Sequence, residues 1–329
     1  MVISQTPLRI GIAGGGTDLA SFYRREAGCV LNAAIDKFVY VIVKERFDDK
    51  IYLNYSRKEI VDSVDQIQHD LVREAMRKTG VTEGVEITTL ADIPSEGSGL
   101  GSSSSITVGL LNALYVYQGI QVTAQTLAQQ ACDIEINILG KPIGKQDQYI
   151  AAYGGVRLFG FHPDEGVSVE KVCLRSSQML LFGSNLLLFF TGKTRKSDPI
   201  LSQQQENTEQ KLEVLRQMKR QALEAKDLLS AGDFDAVGRL LHQAWQCKRA
   251  LASTISNDQI DQMYQQALDA GALGGKISGA GGGGFLLLYV PREKQNAVRK
   301  ALNQYRELPF FLEHHGSKII FNTRRYQWK

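Results

Sequence analysis

The spacing of apolar residues changes along the chain, and each change marks an element. Segments 39–45 and 50–55 are β-branched and aromatic runs parted by the turn cluster Phe47, Asp48 and Asp49, which predicts two strands. Over 65–79, Ile67, Leu71 and Met76 recur at helical intervals. Another strand is predicted over 85–90, ended by Asp92 and Pro94. PSEGSGLGSSSS follows and leads into ITVGLLNALYVYQ, a helical run, so strand, Gly/Ser loop and helix occur in that order. Segment 123–139 reads as one more helix, broken at Gly140 and Pro142.

After Gly183 the composition shifts. Segment 186–190 reads as a short buried strand, and TGKTRKSDP supplies a loop and a helix start. A long, polar, amphipathic stretch over 199–230 and segments 233–254 and 258–270 predict helices. KISGAGGGG then runs into the strand FLLLYV, with a helix over 292–305 and a last strand over 318–322. A boundary near residue 180 gives two halves, 1–180 and 181–329, each mixing helices and strands, so the fold class is α+β. The 329 residues fit two domains at about 150 residues each.

Composition narrows the function class. At 43% hydrophobic and 22% charged the chain is an ordinary globular protein, which excludes a disordered tail or a disulfide miniprotein. The net charge of +3 calls for neither a nucleic-acid nor a membrane partner, but it permits a local basic pocket. The longest apolar runs, 186–190 and 285–290, fall far short of the ~20 residues needed to span a bilayer, and the N-terminus lacks the pattern of a signal peptide. Cys29, Cys132, Cys173 and Cys247 are scattered, so they read as reduced, mostly buried thiols of a cytoplasmic protein.

Three glycine-rich segments, 11–18, 97–105 and 274–284, mark places where the backbone must approach something closely. Each alone could be an ordinary turn. The middle one, between strand and helix, gathers backbone N–H groups at the positive end of a helix, and Ser102, Ser103, Ser104 and Ser105 add hydroxyls able to donate to phosphate or to ligate Mg²⁺. No G-K-[ST] stands at the required spacing, which disfavours a Walker A loop. The third holds a G-x-G-x-x-G at Gly279, Gly281 and Gly284, but it enters a strand rather than a helix, so the dinucleotide reading fails. Glu135 and Asp147 are the two carboxylates that phosphoryl transfer asks for beyond positioning, one for the metal and one for the hydroxyl, although either could be a solvated surface acid. Arg9 sits in an apolar strand, where arginine is uncommon without an acid or phosphate. Asp18 could accept bonds from sugar hydroxyls or cap the helix that follows. No H-E-x-x-H or G-x-S-x-G supports a metallohydrolase or a nucleophile triad.

The order PLRIGIAGGGTDL, PSEGSGLGSSSS, KISGAGGGGFLLLY resembles the three motifs of the GHMP small-molecule kinases, over nearly the whole chain. The resemblance implies a ribosomal-protein-like N-terminal domain and a ferredoxin-like C-terminal domain with the active site in the cleft between them, and ATP and Mg²⁺ as cofactors. GGGTDL with NAAIDKFVYV looks like the branch that phosphorylates anomeric hydroxyls, with a heptose 7-phosphate as the implied acceptor. Gly14 to Gly16 depart from the galactokinase form of the motif, and fucose- or galactose-type kinases remain the alternative. By the same resemblance Gly97, Ser98, Gly99, Leu100, Gly101, Ser102, Ser103 and Ser104 would wrap the ATP phosphates, and Ser103 and Glu135 would hold Mg²⁺. Asp147 would act as base, and Arg9 would stabilise the transferred group. Gly15, Gly16, Thr17 and Asp18 would bind the sugar, while Gly281 and Gly282 would close the cleft.

A phosphorylated acceptor would need a second basic site. Arg195, with Lys193 and Lys196, is one candidate and Lys145 another, against the alternative of a solvated charge run. A non-catalytic sugar sensor is opposed by the presence of Glu135, Asp147 and Ser103, and a decarboxylase of the mevalonate branch by the sugar-type first motif. A homodimer is left open.

Overall fold

The computed structural model describes residues 1–93, 97–195 and 197–323. Its first sheet is organised by two long strands, β1 (Val2–Ala13) and β2 (Gly28–Glu45), paired antiparallel from Val2 opposite Val43 to Ala13 opposite Leu31. The alternating interior of β1 buries Leu8, Ile10 and Ile12, and with them Arg9. After β3 (Ile51–Asn54) and β4 (Lys58–Val61), β5 (Val85–Ala91) joins the C-terminal half of β2, while β6 (Val156–Phe161) joins its N-terminal half and carries β7 (Val167–Lys171). The β3–β5 pair is parallel and the other pairs of this sheet are antiparallel.

The second sheet is small: β8 (Leu186–Phe190), β9 (Gly274–Ile277) and β10 (Phe285–Tyr289), with β10 in the middle. Its core holds Trp245, Met263, Leu286 and Leu288, from the helices Phe234–Arg249 and Asp258–Asp269 and from β10. The last strand, β11 (Lys318–Asn322), returns to the first sheet and pairs with β1, although it lies in the second half of the chain.

The helix Ser102–Tyr117 packs on β1 and β2. Gly109 allows the close approach: a Cβ there would lie 2.9 Å from Thr6 Oγ1, and its carbonyl takes the Ser4 hydroxyl at 2.8 Å. The helix expected over 123–139 changes geometry partway. Ala124–Cys132 is α-helical, and Asp133–Ile138 is a π-helix, where Leu139 N–H reaches back five residues to Ile134 O. The stretch expected as one helix over 199–230 is two, Asp198–Glu206 and Leu212–Ala231. After the break at Gly140 and Pro142 the chain re-enters a helix at Gln146, which runs to Tyr153. All four cysteines are free. Cys29 and Cys132 are buried, but Cys247 is half-buried and Cys173 exposed, so burial of the thiols is less general than the sequence suggested. Among the described residues no helix is long and apolar enough to cross a membrane.

Candidate active site

The loop before the helix Ser102–Tyr117 turns through Gly97, Gly99 and Gly101, all at positive φ (+71°, +73° and +80°). At Gly99 a Cβ would lie 2.4 Å from Ser278 O, and at Gly279 one would lie 2.6 Å from the Gly99 Cα. The second and third glycine segments therefore interlock backbone to backbone, which only residues without a Cβ allow. The helix start, with its unpaired N–H groups, faces a cavity of ≈ 730 Å³ lined by Gly97, Ser98, Gly99, Gly101, Ser102, Ser103 and Ser104 among others. Leu100 does not line it. Its side chain is fully buried in the core, and its carbonyl takes the Arg9 N–H at 3.0 Å.

Behind Ser103 stands Glu135, fully buried in the π-helical turn. Its Oε1 accepts from Ser103 Oγ at 2.7 Å and its Oε2 from Gln148 Nε2 at 2.8 Å, with Lys141 Nζ at 3.7 Å. Burial raises this carboxyl above the ordinary range, against the lowering influence of Lys141 and the hydrogen bonds. Across the cavity Asp147, in the first turn of Gln146–Tyr153, receives Arg9 Nε at 2.7 Å and Nη2 at 2.6 Å. The third guanidinium nitrogen, Nη1, donates to Gly99 O at 2.6 Å.

Asp18 is no helix cap. The short helix Ala20–Tyr23 starts after Leu19 with no side-chain cap, and the Asp18 carboxylate instead accepts from Gly16 N at 3.0 Å and from Gln146 Nε2 at 3.0 Å on each oxygen. Gln146 Oε1 accepts in turn from Asn32 Nδ2 at 3.1 Å. Burial raises the Asp18 carboxyl, opposed first by the Gly16 N–H. Gly15, Gly16 and Asp18 line the cavity. Thr17 does not, because its buried hydroxyl donates to Gly14 O at 2.8 Å and Cys29 O at 2.9 Å and so ties the loop to β2.

Arg195 lines the cavity with two buried guanidinium nitrogens, Nε and Nη2, that have no partner among the described residues, and burial presses its pKa down to about 10. Its backbone packs on the nucleotide-type loop, with Arg195 N 2.5 Å from a Cβ placed on Gly97. Lys145 is turned away: its Nζ bonds Glu165 Oε2 at 2.6 Å and lies over the Tyr23 ring. Gly281 and Gly282 pack against Ile255 and Ile200 instead of lining the cavity, while Gly279 and Ala280 do line it. Lys196 lies outside the described residues.

Sequence reasoning missed three cavity groups and one behind them. Gln146 holds Asp18, Asn32 in turn holds Gln146, and Lys248 and Lys276 add charge to the wall. Lys276 carried the signal that singled out Arg9, a cation inside a buried strand; Lys248, on an ordinary amphipathic helix, carried none. Among the described residues no group of three His, Cys, Asp or Glu side chains could hold a metal ion by itself.

Residues 54–155 match the GHMP kinases N terminal domain and residues 219–307 the GHMP kinases C terminal domain. The chain is 32% identical over 318 residues to the D-glycero-alpha-D-manno-heptose 7-phosphate kinase of Campylobacter jejuni, covering 92% of this chain and 93% of that one. It is 28% identical to the L-fucokinase/L-fucose-1-P guanylyltransferase of Bacteroides fragilis over 91% of its own length, but spans only 35% of that protein. The crystal structure of a D-glycero-D-manno-heptose 1-phosphate kinase from Bacteroides thetaiotaomicron superposes with a TM-score of 0.83 at 27% identity, over 98% of this chain and 100% of that one. With its interlocked glycine loops, its Arg9–Asp147 pair and these relatives, the chain belongs to the GHMP kinase family.

Proposed function

We propose that this protein transfers the γ-phosphoryl group of ATP to the anomeric hydroxyl of D-glycero-D-manno-heptose 7-phosphate, giving the 1,7-bisphosphate. The observation that carries the reading is Asp147, held by Arg9 on the cavity wall between the glycine loop on one side and Asp18 on the other. The loop and helix start from Gly97 to Ser104 would cradle the triphosphate through backbone N–H groups. Asp147 would take the proton of the anomeric hydroxyl as its oxygen attacks the γ-phosphorus, and Arg9 would face the negative charge on the transferred group. Asp18, oriented by Gln146 and the Gly16 N–H, would accept from a second sugar hydroxyl.

Ser103 and Glu135 suit Mg²⁺. They are hard oxygen donors 2.7 Å apart beside the glycine loop, and Mg²⁺ is ordinarily held by one or two carboxylates with the substrate phosphates completing its shell. The ion would neutralise phosphate charge there.

A phosphorylated acceptor agrees with the surplus of cations. Lys248, Lys276 and Arg195 all line the cavity, more positive charge than an uncharged acceptor calls for. ATP and a sugar phosphate are cytoplasmic substrates, and the reading carries that location with it.

The test is ADP release by purified protein with Mg·ATP across heptose 7-phosphate, heptose, hexoses, L-fucose and galactose. The reading expects the highest kcat/KM with heptose 7-phosphate, and no release with any of the sugars would end it.

A further inference from the structure

Two cavity lysines have no part in the transfer chemistry just described. Lys276, in β9, is only 4% exposed, and among the described residues its ammonium finds a single acceptor, Ile12 O at 3.4 Å. Lys248, in the helix Phe234–Arg249, donates to Ile277 O at 3.0 Å and to Gly279 O, so it pins the third glycine segment. Among the described residues neither is paired with a carboxylate; the nearby Asp147 is engaged bidentately by Arg9. A buried ammonium without a counter-ion is unfavourable, and a fold that keeps two beside a cavity implies an anion inside it. The electrostatics agree. Burial, and then Arg9, presses Lys276 down to about 8, while burial and then Lys276 lower Lys248 further.

The position puts Lys276 beside the polar groups that orient Asp18. A Cβ on Gly11 would lie 3.9 Å from Lys276 Nζ, 3.9 Å from Gln146 Oε1 and 3.2 Å from Asn32 Oδ1. Lys276 thus stands at the wall that orients Asp18, where the acceptor sugar belongs, whereas Arg195 flanks Gly97. We infer that Lys276, supported by Lys248, binds the phosphate that the acceptor sugar already carries into the reaction. This rests on the heptose 7-phosphate reading above. The free ammonium donors of Lys276 would take two phosphate oxygens, and the ion pair would compensate the desolvation that the ligand-free fold bears.

The test compares wild type with Lys276→Met and Lys276→Arg. For Lys276→Met the KM for heptose 7-phosphate is expected to rise at least tenfold while the KM for ATP stays within twofold. The preference in kcat/KM for phosphorylated over unphosphorylated heptose should shrink at least tenfold, and Lys276→Arg should recover part of it. The unfolding temperature of ligand-free Lys276→Met should be no lower than that of wild type, because an unpaired buried charge has been replaced by a methionine. Equal losses of kcat/KM with both acceptors would overturn the inference and put Lys276 on the transferred group. A lower unfolding temperature with loss of both ligands would overturn it in favour of a structural role. If wild type phosphorylates no sugar, the functional reading fails on its own. Calorimetric binding of heptose 7-phosphate against heptose to wild type and Lys276→Met then decides the inference: equal binding of the two sugars by wild type sinks it.

Discussion

Arg9 donates to both carboxylate oxygens of Asp147, from Nε at 2.7 Å and from Nη2 at 2.6 Å, while its Nη1 holds the Gly99 carbonyl at 2.6 Å. One planar side chain, itself 6% exposed, thereby fixes the acid and the nucleotide-type loop relative to each other. Lysine has no fork with which to make this three-point contact. The burial of Arg9 in β1 supplies the rigidity, since its neighbours Leu8 and Ile10 are fully enclosed.

Asp147→Asn keeps one of the two oxygens that accept from Arg9, and Arg9 keeps its bond to Gly99 O, but the change removes the proton acceptor. Turnover is expected to fall by ~10²–10⁴-fold, the range for loss of a general base, with the KM for ATP within about twofold of wild type. A coupled ADP assay measures both. Turnover within a few-fold of wild type would take Asp147 out of the chemistry.

Gly144 is constrained by Asp18 rather than by its own backbone. A Cβ there would lie 1.9 Å from Asp18 Oδ2 and 2.4 Å from its Cγ. Gly144→Ala must therefore push the Asp18 carboxylate away from Gln146 or shift the loop that leads into Gln146–Tyr153. The expected outcome is a KM for the acceptor raised by about tenfold or more, with ATP binding retained; misplacing a positioning group by about an ångström is enough for losses of that order. Unaltered acceptor kinetics would show that Asp18 does not contact the sugar.

These two positions show what the sequence could and could not reveal. Arg9 was legible because a lone cation in an apolar strand is a chemical anomaly, and the three glycine segments because glycine clusters are unfavourable without a close approach. The interlocking of Gly99 with Gly279 was not legible, since it joins residues 180 positions apart whose spacing carries no common period. Gln146 is hidden by its neighbour: a glutamine beside Asp147 carries no distinguishing spacing, and only the turn into the helix Gln146–Tyr153 points its amide at Asp18. Lys145 was misleading for the same reason, one step further round, because that turn directs its ammonium to Glu165. The π-helical turn at Asp133–Ile138 leaves apolar spacing looking helical, so the burial of Glu135 could be read only from coordinates.

Glu135 lends itself to a metal titration. Glu135→Gln keeps an acceptor for Ser103 and removes the charge, and with it the lysine-flanked carboxylate beside the glycine loop. The concentration of Mg²⁺ giving half-maximal turnover at saturating ATP should rise by about tenfold or more. The unfolding temperature should not fall, because burial already disfavours the ionised Glu135. An unchanged Mg²⁺ requirement would remove Glu135 from the metal site.

Lys276 predicts how stability should vary with pH in the ligand-free protein. In the unfolded chain its ammonium keeps its proton up to the ordinary value of 10.5, whereas in the fold it yields it at about 8. Between those values the unfolded state binds more protons, so this group makes the fold gain stability as pH rises from about 8 to 10.5, and below 8 the fold carries the full desolvation of the buried ammonium. Lys276→Met lacks that dependence. Its unfolding temperature should exceed that of wild type by about 2 °C or more at pH 7, since each kcal/mol is worth roughly 2–4 °C in a chain of this order of size. The excess should then shrink steadily toward pH 10. Cys29, whose thiol burial raises to about 11, changes stability in the opposite direction over part of this range, but it does so in both proteins and drops out of the difference. The charges facing Lys276 are Arg9 and Lys248; losing the Lys276 charge lets Lys248 hold its proton to higher pH, which adds to the advantage at pH 7 without reversing its slope. Differential scanning calorimetry of the two proteins across pH 6.5–10 reads this difference, and an excess that grows with pH would show that Lys276 is not a buried, unpaired cation.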